Sequence, residues 1–193
     1  MSMPSDERVI LVDPDDREID TAEKIAAHRE GRLHRAFSVF LEDAAGRVLL
    51  QRRAEGKYHS GGLWSNTCCG HPRPGEETRD AAQRRLSEEM GVAPALAPVF
   101  TFTYRAELAS GLTEHEVDHV FLGRLDGEPR PDPQEVAEWR WVGIPELLAD
   151  LEANPGRYTA WLRPALEGLG ARAKPPRTPG RKEGQPSSRE FMS

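Results

Sequence analysis

Asn66-Thr67-Cys68-Cys69-Gly70-His71-Pro72, then Gly75-Glu76, then Arg84-Arg85-Leu86-Ser87-Glu88-Glu89-Met90-Gly91 bring a thiol, an imidazole and several carboxylates close together in the chain. Such groups are the material of metal-assisted acid–base chemistry. Further along stands Glu114-His115-Glu116. In an extended strand, side chains two apart share a face, so two carboxylates would lie side by side with His115 opposite. Like charges that close repel unless a cation sits between them or one is protonated; an exposed strand face is the competing reading. By the same spacing Cys69 and His71 share a face if their loop is extended, and Cys68 turns away. Cys68 reads as a small buried hydrophobe. Cys69, beside Gly70 in a loop bounded by glycine and proline, is the better candidate for reactivity. His28, His34 and His71 each read alone as a surface or capping residue, and spacing alone does not unite them. Glu89 follows Arg85 by four residues, which puts both on one helical face with Glu88 nearby. A lone pair of that kind is ordinarily a surface ion pair worth a few tenths of a kcal/mol. Arg52, Arg53, Lys57 and Arg73 form either an anion pocket or a solvated basic patch.

These groups need elements to position them. Val9 to Val12 is a short apolar run, and Ala36 to Leu41 and Arg47 to Gln51 flank Asp43-Ala44-Ala45-Gly46, a hairpin signal. Val99 to Tyr104, Val117 to Leu125 and Glu138 to Val142 read as further strands, with Ser110-Gly111 between the first two. Thr78 to Met90 contains no breaker and meets Gly91, which predicts a helix with a glycine C-cap. A helix is expected to open at Pro145 and cover Glu146 to Leu151, and another Trp161 to Leu169. Strands and helices in this order predict an α/β (α+β) fold, a mixed sheet sandwiched between helices in a single domain.

At 193 residues the chain suits one domain with a substantial core. The net charge of -6 does not favour a nucleic-acid surface. No apolar run approaches the about 18 residues of a membrane span, and no signal peptide opens the chain. The adjacent cysteines cannot staple distant segments, so a reduced, cytoplasmic protein is expected. Residues 1–7 and the basic, proline- and glycine-rich 170–193 read as disordered, leaving 8–169 as the folded unit. No obligate protein partner is evident.

From Gly70 the spacing through Glu76, Arg84, Glu88, Glu89 and Gly91 resembles the Nudix signature, in which a loop and helix hold a divalent cation against a diphosphate. Arg85 stands where a Nudix hydrolase has the first glutamate of its metal cluster. With Cys69-Gly70-His71 ahead of it, the pattern is similar to the type I isopentenyl-diphosphate isomerases. The resemblance runs from about residue 8 to 168, through Glu23-Lys24 to His28, Arg32-Leu33-His34, Arg52-Arg53-Ala54, Trp64 to Pro72, Glu88 to Gly91, Tyr104 to Ala106, Glu114 to Glu116, and Trp161. It implies a Nudix-type sheet and a reversible 1,3-allylic shift between isopentenyl and dimethylallyl diphosphate in isoprenoid biosynthesis. It implies Cys69 and Glu116 as acid–base pair with Tyr104 assisting, and Trp161 facing a carbocation. Mn2+ or Zn2+ would be held by His28, His34, His71, Glu114 and Glu116, and Mg2+ by Glu89. Arg53, Lys57 and Arg85 would bind the diphosphate of a small homoallylic or allylic substrate. A Nudix pyrophosphohydrolase is the alternative, opposed by Arg85; a non-catalytic phosphate-binding module is opposed by Cys69, Glu89 and Glu116.

Overall fold

Successive side chains along the strands alternate between two covered faces of a nine-stranded mixed sheet, so the central strands are buried almost throughout. The computed structural model describes residues 7–108 and 111–172; Ala109 and Ser110, residues 1–6 and the tail from 173 lie outside them. The elements run β1 (Arg8–Val12), β2 (Glu18–Glu23), α1 (Lys24–Glu30), β3 (His34–Glu42), β4 (Arg47–Arg53), β5 (Trp64–Ser65), β6 (Cys68–Gly70), α2 (Thr78–Met90), β7 (Leu96–Glu107), β8 (Thr113–Arg124), β9 (Val136–Gly143), α3 (Ile144–Ala153), a 3-10 turn at Pro155–Arg157, and α4 (Leu162–Arg172). The expected hairpin, the glycine-capped helix and the α+β architecture are all present. Trp161 lies in the turn before α4 rather than in the helix. Among the described residues no helix is long and apolar enough to cross a membrane.

The centre of the sheet is where the site is made. β3 runs parallel to β8 from His34↔Glu116 to Glu42↔Arg124. Asp43 caps the β3–β4 turn by accepting the N–H groups of Ala45 and Arg47 at 2.9 Å. The two strands pair at Glu42↔Val48, and β5 and β6 then fill the space between them. β6 pairs with β3 from Phe37↔Gly70 to Val39↔Cys68, and β5 pairs with β4 at Gln51↔Ser65 and Arg52↔Trp64. Thr67, between β5 and β6, ties the parted strands together. Its hydroxyl accepts the Leu41 N–H (2.9 Å) and donates to the Leu49 carbonyl (2.7 Å). The Asn66 amide donates to the carbonyls of Val39 and Cys68. Both side chains are fully buried, where an unmade hydrogen bond costs about 1–3 kcal/mol. The insertion is therefore held firmly by its own polar groups.

One face packs Phe37, Val39, Leu41, Leu49, Cys68 and Phe121 against Leu86 and Met90 of α2. The other packs Phe40, Val48, Leu50 and Val120 against Leu147 and Leu151 of α3 and Leu162 and Leu166 of α4. The two adjacent cysteines are thus divided between faces, as strand alternation requires: Cys68 is core beneath α2, and Cys69 looks the other way.

Helix α2 ends at Gly91, whose φ of 65° is left-handed and suits glycine. A Cβ there would stand 2.3 Å from the Arg130 carbonyl oxygen. The loop at 130–135 is bound to the helix end, with Arg130 N–H donating to Met90 and Asp132 N–H to Glu89, both at 2.9 Å. Gly91→Ala is therefore expected to lower stability by about 1–3 kcal/mol, read as a shifted urea midpoint. An unchanged midpoint would mean that the 130–135 loop yields freely.

Candidate active site

Five side chains from four elements converge on the α3–α4 side of the sheet. His28 sits in the last turn of α1, which Gly31 closes with φ 62°. His34 opens β3, His71 follows β6, and Glu114 and Glu116 lie two apart on β8. Nδ1 of His28 is 2.7 Å from the Lys24 carbonyl and Nδ1 of His34 is 2.8 Å from the Arg32 carbonyl. A carbonyl only accepts, so each Nδ1 carries a proton and each ring turns its Nε2 inward. Nε2 of His34 is 3.2 Å from Nε2 of His71, which lies 2.8 Å from Glu116 Oε1. His28 Nε2 is 3.3 Å from Glu114 Oε2. One ligand atom from each of the five residues lies within 4.8 Å of all the others.

The donor set fits a divalent cation. Oε2 of Glu114 is buried with no hydrogen-bond partner, a costly state for a carboxylate oxygen unless something positive is beside it. Three imidazole nitrogens and two carboxylates suit a cation of intermediate softness. Burial opposes protonation of His28, but the neighbouring Glu114 carboxylate raises its pKa on balance. His71 goes the opposite way, pushed well down by burial and by the neighbouring His34. His115 faces away, bonded to the Gly31 carbonyl at 2.9 Å.

Next to this cluster stand Cys69, Tyr104 and Trp161. Burial raises the Cys69 thiol to about 12, with Arg53 opposing, so the thiol stays protonated at neutral pH. Arg53 Nη1 lies 3.6 Å from its sulfur. Burial would raise Glu116 as well, but the hydrogen bond and charge of His34, with Glu114 and Tyr104 adding, hold it at about 2. Tyr104 pairs directly across from Glu116 in the β7–β8 ladder and donates its hydroxyl to Oε2 at 2.6 Å. Trp161 is buried, and its indole N–H donates to Asn66 Oδ1 at 3.0 Å, which orients the ring from the Cys69 loop itself. Two residues beyond Glu116, Asp118 is buried and accepts from Ser38 at 2.7 Å; burial and Glu116 raise its pKa well above the usual range.

The charged residues expected at a diphosphate separate into two groups. Glu89 is 1% exposed, so the Arg85–Glu89 contact of 2.5 Å is not the surface pair its spacing suggests. Glu89 also accepts from Gln51 at 3.0 Å and lies 3.6 Å from Lys57. Glu135 completes the set, touching Lys57 and, at 3.2 Å, Arg85. Arg53 is buried against Cys69, whereas Arg52 turns outward to Glu138 at 2.6 Å and Glu55 at 3.3 Å. The β4–β9 register shifts between these two arginines, and an irregularity of that kind re-aims a side chain. Arg73 gives its backbone N–H to Glu76. Glu89 stands apart from the five-residue cluster. Sequence reasoning missed Gln51, His59, Asp118 and Glu135, and also Tyr58, whose hydroxyl lies 3.5 Å from His28 Nε2; none belongs to a motif, and Asp118 alone was within reach, by extending the every-second-residue pattern of Glu114 and Glu116.

A sheet held between α2 and the α3–α4 pair, with a glycine-bounded loop leading into a carboxylate-rich helix, defines a Nudix-class protein. Residues 32–162 match the NUDIX domain. The fold is shared with a Deinococcus radiodurans protein of known structure (TM-score 0.66, 24% identity, covering 77% of this chain and 90% of that one). It is shared too with a MutT protein of Methanosarcina mazei (TM-score 0.62, 19% identity, 74% and 96%). More specific are the isopentenyl-diphosphate Delta-isomerase of Burkholderia multivorans, 56% identical over 86% of this chain and 94% of that protein, and that of Serratia proteamaculans, 50% identical over 86% and 93%. The chain belongs to the isopentenyl-diphosphate Delta-isomerase family of the Nudix superfamily.

Proposed function

We propose that this enzyme interconverts isopentenyl and dimethylallyl diphosphate, with Cys69 and Glu116 as its acid–base pair. What supports the reading is a protonated thiol and an ionised carboxylate that point to the same side of the sheet, the carboxylate held by Tyr104 at 2.6 Å. An alkene is a poor base, so its protonation needs a positioned acid and exclusion of water. The pair enters with one transferable proton. One member delivers a proton to C4 of isopentenyl diphosphate, leaving a tertiary cation at C3, and the other takes a proton from C2. The reverse reaction exchanges the roles. Tyr104, bonded to Glu116, assists proton delivery. Trp161 turns its ring to the cationic carbon, an interaction worth about 2 kcal/mol when desolvated, while Asn66 keeps the indole in place.

Arg53, Lys57 and Arg85 bind the diphosphate as fixed positive charges. Held at Glu89, Mg2+ would neutralise the diphosphate, and Mn2+ or Zn2+ held by His28, His34, His71, Glu114 and Glu116 would stabilise the charge on Glu116. The free thiols of Cys68 and Cys69 suit a reducing cytoplasm. A pyrophosphohydrolase would need further carboxylates to activate water, and Arg85 occupies the helix position that supplies one. The test follows dimethylallyl diphosphate and released phosphate in one reaction with isopentenyl diphosphate and Mg2+. Isomer without phosphate is expected; phosphate without isomer would overturn the reading.

A further inference from the structure

The segment joining β4 to β5 carries Lys57 toward Glu89 and, two residues later, His59 toward the five-residue cluster. His59 is buried, and its Nε2 lies 3.2 Å from Oε1 of Glu114. Its Nδ1 lies 3.2 Å from the Ser60 hydroxyl. The ring stacks on His28 with centroids 5.8 Å apart and meets Trp161 edge-on at 6.0 Å. An ionised carboxylate only accepts hydrogen bonds, so Nε2 must be the donor. A neutral ring then leaves Nδ1 to accept from Ser60. Nε2 thus faces Oε1 of Glu114 at 3.2 Å, while the other oxygen, Oε2, is the one buried without a hydrogen bond and closest to His28 Nε2.

We propose that His59 is a positioning residue of the metal centre: its Nε2–H holds Oε1 of Glu114 so that Oε2 is presented to a cation with His28, His34, His71 and Glu116. A ligating carboxylate whose second oxygen is anchored keeps its orientation when the site is empty, and loss of such an anchor typically weakens metal binding ten- to a hundredfold. Ring packing against Trp161 does not by itself explain why the polar edge of His59 meets the carboxylate. The inference rests on the metal reading of the five side chains.

Zn2+ and Mn2+ affinities of metal-stripped wild type, His59→Ala and His59→Gln, measured by competition with a chromophoric chelator, test it. Thermal unfolding of each stripped protein is read alongside. His59→Ala is expected to bind about 10–100-fold more weakly. His59→Gln, whose amide N–H reaches the place of Nε2, is expected to recover most of the loss. An alanine variant that binds as tightly as wild type would overturn the role of His59 alone. So would alanine and glutamine variants equally weak in metal and equally lowered in stripped-protein Tm, which marks a packing role. A wild type that binds neither ion would overturn the metal reading itself, and this inference with it.

Discussion

Cys69→Ala is expected to lower isomerisation by about 10⁴-fold, the upper range for removing a positioned acid or base, while metal content and circular dichroism stay at wild-type values. The side chain lies on the α3–α4 face outside the buried clusters, and its polar neighbour is Arg53 at 3.6 Å. Little packing is lost with its sulfur. Cys68→Ala should do the reverse. That side chain is fully buried among Leu86, Met90 and Phe121, so its truncation costs stability by leaving a cavity yet spares turnover in the protein that folds. The contrast matters because bulk thiol labelling would not separate the neighbours. Near wild-type turnover in Cys69→Ala would remove the thiol from the mechanism.

The second large effect is expected of Glu116→Gln. The substitution keeps the volume and removes the charge that His71 meets at 2.8 Å, His34 at 3.4 Å and Tyr104 at 2.6 Å. It deletes the acid–base group and one cation ligand together, so isomerisation should fall by about 10⁴-fold and metal affinity by about 10–100-fold. Saturating the protein with Zn2+ or Mn2+ should then separate the two losses. Glu114→Gln, which changes a ligand alone, is expected to regain most of its activity under saturating metal, whereas Glu116→Gln is not. Recovery of Glu116→Gln to wild-type turnover by added metal would show that the carboxylate acts only as a ligand.

How much of this was legible in the sequence depended on whether the signal was local. The strands around β3 and β8 declare themselves as apolar runs beside turn signals, and Gly91 marks the end of α2, because both are short-range effects of packing and of backbone conformation. The sharing of a face by Glu114 and Glu116, and the opposite sense of Cys68 and Cys69, follow from the two-residue repeat of a strand. β2, with its polar sequence Glu18-Ile19-Asp20-Thr21-Ala22-Glu23, carries no such alternation. Helix α1 is only seven residues long and has no side-chain N-cap bond. β5 and β6 span two and three residues, too short for any period to register.

The meeting of His28 and His34 with His71 and Glu116 is a matter of topology: a parallel pairing of β3 with β8 and the wedge of β6 beside β3. Residue types alone left each histidine a surface candidate, and only resemblance to a family grouped them. Arg52 and Arg53 are neighbours with opposite fates, decided by a register shift no composition reveals. His59 and Glu135 stood in no motif; each acquires meaning through a partner more than fifty residues or about fifty residues away in the chain (Glu114 for His59, Arg85 for Glu135).

The claim that matters most is that proton delivery and proton removal are separate acts of two protein groups. Isopentenyl diphosphate turned over in deuterated buffer, with the dimethylallyl product isolated at low conversion and analysed by NMR, tests it most directly. Deuterium in the newly formed methyl group is the predicted result, because the hydrogen added at C4 then comes from an exchangeable protein group. Product formed at full rate with no deuterium at that carbon would mean that the hydrogen moved within the substrate, and the assignment of Cys69 and Glu116 as an acid–base pair would be contradicted.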